Sequence, residues 1–223
     1  MEKEVIKKYE FTGETKEYVN GTLHRIRRLS DGLVGGWIEK EENLSHDGNA
    51  WVCGDAKVFG DAKVFGSAKV SGNAKVFGNA EVFGDAEVYE GAWVYGDAWV
   101  HGNAWVHGDA RIYGNAEVFG DAKVFGNAIV YEDARVHGNA WVYGISVVRG
   151  GMVVETSNDF ITLKLYSKIV TITKNYISVG CECFKITEEL MSRTDWSAFG
   201  EGYQAWFDKY RYVLTAGINS LRN

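Results

Sequence analysis

The sequence predicts an all-β chain: a coiled stack of short strands with a cap at each end. Three observations predict it. Alanine recurs at every sixth position from Ala50 to Ala140, sixteen times without a break. Valine, or isoleucine at Ile112, follows two residues after each alanine, from Val52 to Val142. Glycine stands two residues ahead of each alanine except where Glu90 and Glu132 replace it, so the unit reads G-[D/N]-A-x-V-[F/Y/H]. A period of six does not return a side chain to one helix face at about 3.6 residues per turn, which excludes a helix.

The unit fits a short strand and a corner. In A-x-V the outer two residues share one side of a strand, so Ala and Val face inward and x faces out. Glycine tolerates the backbone angles of a corner, and Asp or Asn bonds its own downstream backbone there. Such a chain buries its apolar side only by coiling and stacking.

Residues 1–47 read as the first cap. YEFTGETKEYVNGTLHRIRRL alternates apolar and polar residues around Asn20-Gly21, a two-residue hairpin signal. GLVGGWIEKEENLSHDGNAWV then leads into the array of residues 48–155. The hexad frame continues past Tyr143, because Ser146/Val148 and Met152/Val154 keep its inward slots and Gly150 its glycine slot. Residues 156–223 read as the second cap, with strands in ITLKLYS, KIVTITK and YISVGCECFKI. Thr187 with Glu188 and Glu189 carries a helix-opening signal. A second helix near 202–221 presents Tyr203, Trp206, Phe207, Tyr210, Val213 and Leu214 at a spacing of three and four, a packing face.

Read from the valine, V-F-G-D-A-K at 58–63 resembles the signature of the left-handed parallel β-helix hexapeptide-repeat family, an aliphatic residue with a small residue four positions on. The resemblance implies three hexads per triangular coil and about six coils here. Phe, Tyr or His directly after the valine departs from the family, where small or acidic residues are common. At that coil length corner residues never place Asp on Asp, as in Asp61, Asn79, Asp97, Asn115 and Asp133. GGWIEKEENLSHDGNAWV, the A-x-V array and YISVGC together are also similar to hexapeptide-repeat proteins of bacteriophages and gut bacteria that carry no established activity. That second likeness implies a phage-encoded protein that binds or inhibits a host protein.

With eighteen residues per coil, one face carries Phe59, Phe77, Tyr95, Tyr113 and Tyr131 in a column. Beside it run Lys57, Lys75, Trp93, Arg111 and Ile129, without an acid in either column. The next face pairs Phe65, Phe83, His101, Phe119 and His137 with Lys63, Glu81, Trp99, Glu117 and Arg135, where opposite charges neighbour one another. Trp93, Trp99 and Trp105 fall in successive hexads, one per face. Monomers seldom expose contiguous aromatic surface, and Trp, Tyr and Arg are favoured at interface hot spots. The column, the three tryptophans and Lys57, Lys75 and Arg111 are therefore the candidate binding residues. The expected partners are a second copy, as dimer or trimer, and a host protein.

Other classes fit less well. Hexapeptide-repeat enzymes are mainly acyltransferases using acyl-coenzyme A, with a catalytic histidine in a cleft between subunits, and that is the enzymatic alternative. Yet residues 48–144 hold no insertion to fence such a ligand, and His101, His107 and His137 occupy slots that elsewhere hold Phe or Tyr. The family's carbonic anhydrases share a three-histidine metal between subunits, but His101 and His137 fall two coils, about 10 Å, apart. The reading is therefore non-catalytic, without cofactor or metal. A net charge of −6 and the corner acids Asp61, Asp97 and Asp133 argue against nucleic acid. With three cysteines, of which Cys53 fills an aromatic slot and Cys181 and Cys183 lie two apart, neither a disulfide framework nor a zinc site is expected. No stretch approaches the ~20 apolar residues that span a bilayer, and the expected location is the cytoplasm.

Overall fold

The computed structural model describes residues 6–19, 21–165, 168–180, 182–187 and 203–222. Asn20, Cys181 and the helix start expected at Glu188 and Glu189 lie outside the described residues. The hexads form a parallel β-solenoid. Eighteen short strands, β4 (Trp51–Val52) through β21 (Val153–Val154), are dealt in rotation onto three sheets. Each strand therefore pairs with the one eighteen residues on, as Trp93 with Arg111 and Val94 with Ile112. Along the ladder each rung's amides donate to the next, Trp93 N to Ala110 O and Tyr95 N to Ile112 O, both at 2.9 Å.

Ala and Val line the axis as the A-x-V pattern requires. Every alanine from Ala50 to Ala140 and every valine slot from Val52 to Val142 has no solvent exposure, and Val148, Met152 and Val154 continue that core. We name the three faces by the tryptophans that fall one on each, Trp93, Trp99 and Trp105. Corner glycines take positive φ, and Glu90 and Glu132 adopt the same backbone at φ 59° and 58°. Glu90 Oε2 there accepts the Gly108 amide of the next coil at 2.7 Å.

The solenoid makes about seven turns rather than the six expected, because it begins ahead of the alanine array. Strands β1 (Tyr9–Tyr18) and β2 (Gly21–Arg28) form an antiparallel hairpin that feeds β3 (Val34–Ile38), and β3 pairs in parallel with Lys57–Val58. Gly36 occupies the alanine slot of this first rung, where an added Cβ would lie 2.8 Å from Ala56 O and Val52 Cγ1. The next two rungs of that turn are the Leu44–Val64 bridge and Trp51–Val52. Asn43, fully buried at the corner between β3 and the Leu44 rung, is satisfied on both sides of its amide: Oδ1 accepts from Glu39 N and Lys40 N, and Nδ2 donates to Gly60 O and Ala62 O.

The hairpin turn sits one residue earlier than expected. Tyr18 pairs with Gly21, so Val19, at φ 48°, belongs to the loop and Gly21 to the strand. At Gly21 the Glu39 carboxylate lies over the space a Cβ would take, so a larger residue there would displace that side chain. As the outermost strand, β1 is blunted by a register shift between Phe11 and Thr15 and by exposed charges, which discourages pairing with other chains.

At the other end β22 (Phe160–Leu165), β23 (Lys168–Thr173), β24 (Tyr176–Val179) and β25 (Glu182–Lys185) make an antiparallel sheet under the helix Tyr203–Arg222. Phe207, Leu214 and Ile218 of that helix are buried with Val170, Ile172, Ile177 and Val179. Val213, expected on this packing face, is 43% exposed because the buried residues recur at seven and then four, which leaves position 213 a step off the stripe. The side chains of Tyr203 and Trp206 lie outside those described.

Candidate interaction surfaces

Outward positions inherit the ladder's register, so rings at the slot after each valine are brought face to face. On the Trp93 face, Phe59, Phe77, Tyr95, Tyr113 and Tyr131 stack with centroids 4.8–4.9 Å apart and planes within 16°. Tyr18 of the hairpin closes one end edge-on at 5.3 Å, and the Arg149 guanidinium closes the other at 4.7 Å from the Tyr131 ring. Solvent therefore meets ring edges and hydroxyls, and the predicted column is half-buried. Burial pushes the Tyr95 and Tyr113 hydroxyl pKa values up. Tyr18 lies outside the hexad frame, so no periodic signal marked it; Arg149 occupies the next post-valine slot of the column after Tyr131, but as an arginine it does not match the aromatic pattern.

The adjacent column reads Trp37, Lys57, Lys75, Trp93, Arg111 and Ile129. Trp93 is sandwiched, with Lys75 Nζ 4.3 Å and Arg111 Cζ 5.2 Å from its ring. Trp37 was not singled out from the sequence, although Gly36-Trp37-Ile38 occupies hexad slots. Lys57 is buried at 9% exposure, against the solvent-facing position its slot suggested, because the hairpin lies over it. Its ammonium donates to Asp55 O at 2.8 Å and stands 5.7 Å from the Tyr18 ring.

Trp99 and Trp105 lie on the other faces, so the candidate tryptophans encircle one coil rather than converge. Trp99, Trp105 and Trp141 are 48%, 39% and 48% exposed, and Trp141 is a further outward indole not picked out from the sequence. The Trp99 face neutralises its own charges through Lys63–Glu81 and Glu117–Arg135 pairs, and His101 Nε2 meets the same Glu117 at 3.0 Å. His101 is also stacked between Phe83 and Phe119, which gives the imidazole an aromatic's packing role. On the Trp105 face Lys69 pairs with Glu87, and Lys123 Nζ sits 4.3 Å from the Trp105 ring and 5.2 Å from that of Trp141.

Among the described residues no three His, Cys, Asp or Glu side chains cluster as metal ligands, and no helix is long and apolar enough to cross a membrane. A family model described as YdcK beta-solenoid repeat matches residues 122–138. That segment holds Lys123–Val124, Ile129–Tyr131 and Arg135–Val136, one rung on each face and hence nearly one full coil. Comparison with curated proteins returns no match.

Proposed function

We propose that this chain, a parallel β-solenoid repeat protein, is a non-catalytic scaffold that binds other proteins through its outward side chains. The observation that supports it is the exposure of Trp99, Trp105 and Trp141 on a frame whose ladder prevents them from folding inward. Large exposed indoles are costly in a monomer and favoured at interface centres. A second copy is one partner. The resemblance to phage-borne repeat proteins adds a host protein in the cytoplasm as the other.

The test combines Trp99→Ser, Trp105→Ser and Trp141→Ser in the full chain. Wild type should sediment as an oligomer or capture a host protein from lysate, and the triple variant should lose that mass or capture at an unchanged melting temperature. A wild type that is monomeric and captures nothing would remove the reading. Acetyl-coenzyme A separates the enzymatic alternative: a saturable rise of several degrees in melting temperature would favour acyl transfer.

A further inference from the structure

Four cations gather at the hairpin end of the Trp93 face. Lys16 Nζ and Arg25 Cζ lie 4.8 and 5.0 Å from the Trp37 ring, and Lys57 and Lys75 Nζ lie 5.7 and 5.9 Å from that of Tyr18. Arg111 extends the series beyond Trp93. Arg25 faces Asp55 at 3.7 Å, but among the described residues no carboxylate comes within 4.0 Å of Lys16, Lys57, Lys75 or Arg111. Three nearby acids are engaged elsewhere, Glu17 by Thr22, Glu39 by the Gly60 amide and Asp61 by Lys40, while Asp109 borders Arg111 at the corner.

The other faces are built differently, since Lys63, Lys69 and Arg135 each meet a glutamate on the neighbouring coil. In an acidic protein of net charge −6, the Trp93 face gathers the most cations without a carboxylate partner among the described residues, Lys16, Lys57, Lys75 and Arg111, against Lys123 alone on the Trp105 face. Crowding is felt at Lys57, whose pKa is lowered by burial first, then by Lys16 and, more weakly, Lys75, against the opposing pull of Asp55. Repulsion among like charges costs energy that an anionic partner would reverse.

Ring geometry selects the class of anion. The Phe59–Tyr131 rings cover one another, Trp37 is flanked by Lys16 and Arg25, and Trp93 by Lys75 and Arg111. Stacking on nucleobases needs open ring faces. What faces outward here is cationic donors and electropositive ring edges, which suit carboxylates.

We infer that the Trp93 face docks an acidic segment of a partner protein, running along the solenoid axis. Lys16, Lys75 and Arg111 contact its carboxylates, and Lys57 adds its field from beneath. Asp97 and Asp133, at the corner beyond the ring column, confine the segment to the lysine side of that column. This deepens the scaffold reading and rests on it.

The experiment titrates the full chain into fluorescein-labelled deca-glutamate at low salt and follows anisotropy. Lys75→Gln with Arg111→Gln should weaken binding by about fivefold or more, and Lys63→Gln with Arg135→Gln, which removes the same charge from the Trp99 face, by less than about twofold. Equal weakening by the two pairs, or tighter binding of a thymidylate oligonucleotide of matched length, would overturn the inference. If deca-glutamate fails to bind while the wild type still oligomerises or captures a partner, acidic docking falls and the scaffold reading stands.

Discussion

Asn79 donates from Nδ2 to Oδ1 of Asp97 at 2.8 Å, one coil farther along the solenoid. Asn103 meets Asp121 and Asn115 meets Asp133 in the same way, both at 2.9 Å. The alternation of Asn and Asp thus gives each of these corner carboxylates a donor where the eighteen-residue repeat would otherwise stack acids. An amide supplies a donor where a second carboxylate would supply only repulsion.

Asn79→Asp should consequently destabilise the chain, by about 1–2 kcal/mol, because it inserts a third carboxylate between Asp61 and Asp97 in one corner column. Asn79→Ala, which removes only the bond, should cost about 0.5–1.5 kcal/mol. Urea midpoints at low salt and at about 1 M salt separate the two effects. The excess cost of the aspartate should shrink at high salt, where repulsion is screened within about 3 Å.

Two corner glycines separate backbone strain from collision. Gly96 has φ 72°, and a Cβ there would lie 2.9 Å from Gly114 N; Gly144 has φ 68° with nothing within 4 Å of its added Cβ. Gly144→Ala should cost about 1–2 kcal/mol for the left-handed backbone alone. Gly96→Ala should cost a further 1–3 kcal/mol or so, since the contacting atom is backbone that cannot step aside. Denaturant titration of both variants checks the order, and equal losses would contradict it.

Tyr95 stacks on both Phe77 and Tyr113, so Tyr95→Ala breaks two ring contacts at once. Each such pair contributes about 0.5–1.5 kcal/mol beyond area burial. The expected loss is about 1–3 kcal/mol, read as a lower melting temperature. Tyr95→Phe should recover most of it, because the stacking does not use the hydroxyl.

Lys57 supplies a pH dependence of known sign. Its folded pKa lies below its ordinary value because burial, Lys16 and Lys75 together outweigh the pull of Asp55, so the charged form costs stability. As pH rises from the folded value toward the unfolded one, the folded state releases the proton first and that cost is relieved. Lys57→Met, which keeps an unbranched stem, should therefore melt higher than wild type at pH 7. The difference should narrow at about pH 10, as paired melting curves would show.

The hexad alone determined the inward Ala and Val slots, the outward ring slots and the stacking of short strands. Each follows from local alternation repeated at a constant interval, so Val100 and Tyr95 are placed by their position in the unit. Likeness to the hexapeptide family supplied the coil length and with it the alignment of Phe59 through Tyr131, which the Trp93–Arg111 register then matched. Only the tertiary structure decided what covers the ends. Tyr18 against Phe59, Trp37 as the first rung and Lys57 beneath the hairpin depend on flanks that do not repeat. The same contacts decided which candidate side chains remain outward, because burial at a solenoid's end depends on how a nonperiodic segment closes over it. Along the repeat, neighbours eighteen residues apart impose one environment on every coil; at the caps no such symmetry exists, and long-range packing alone selects the partners.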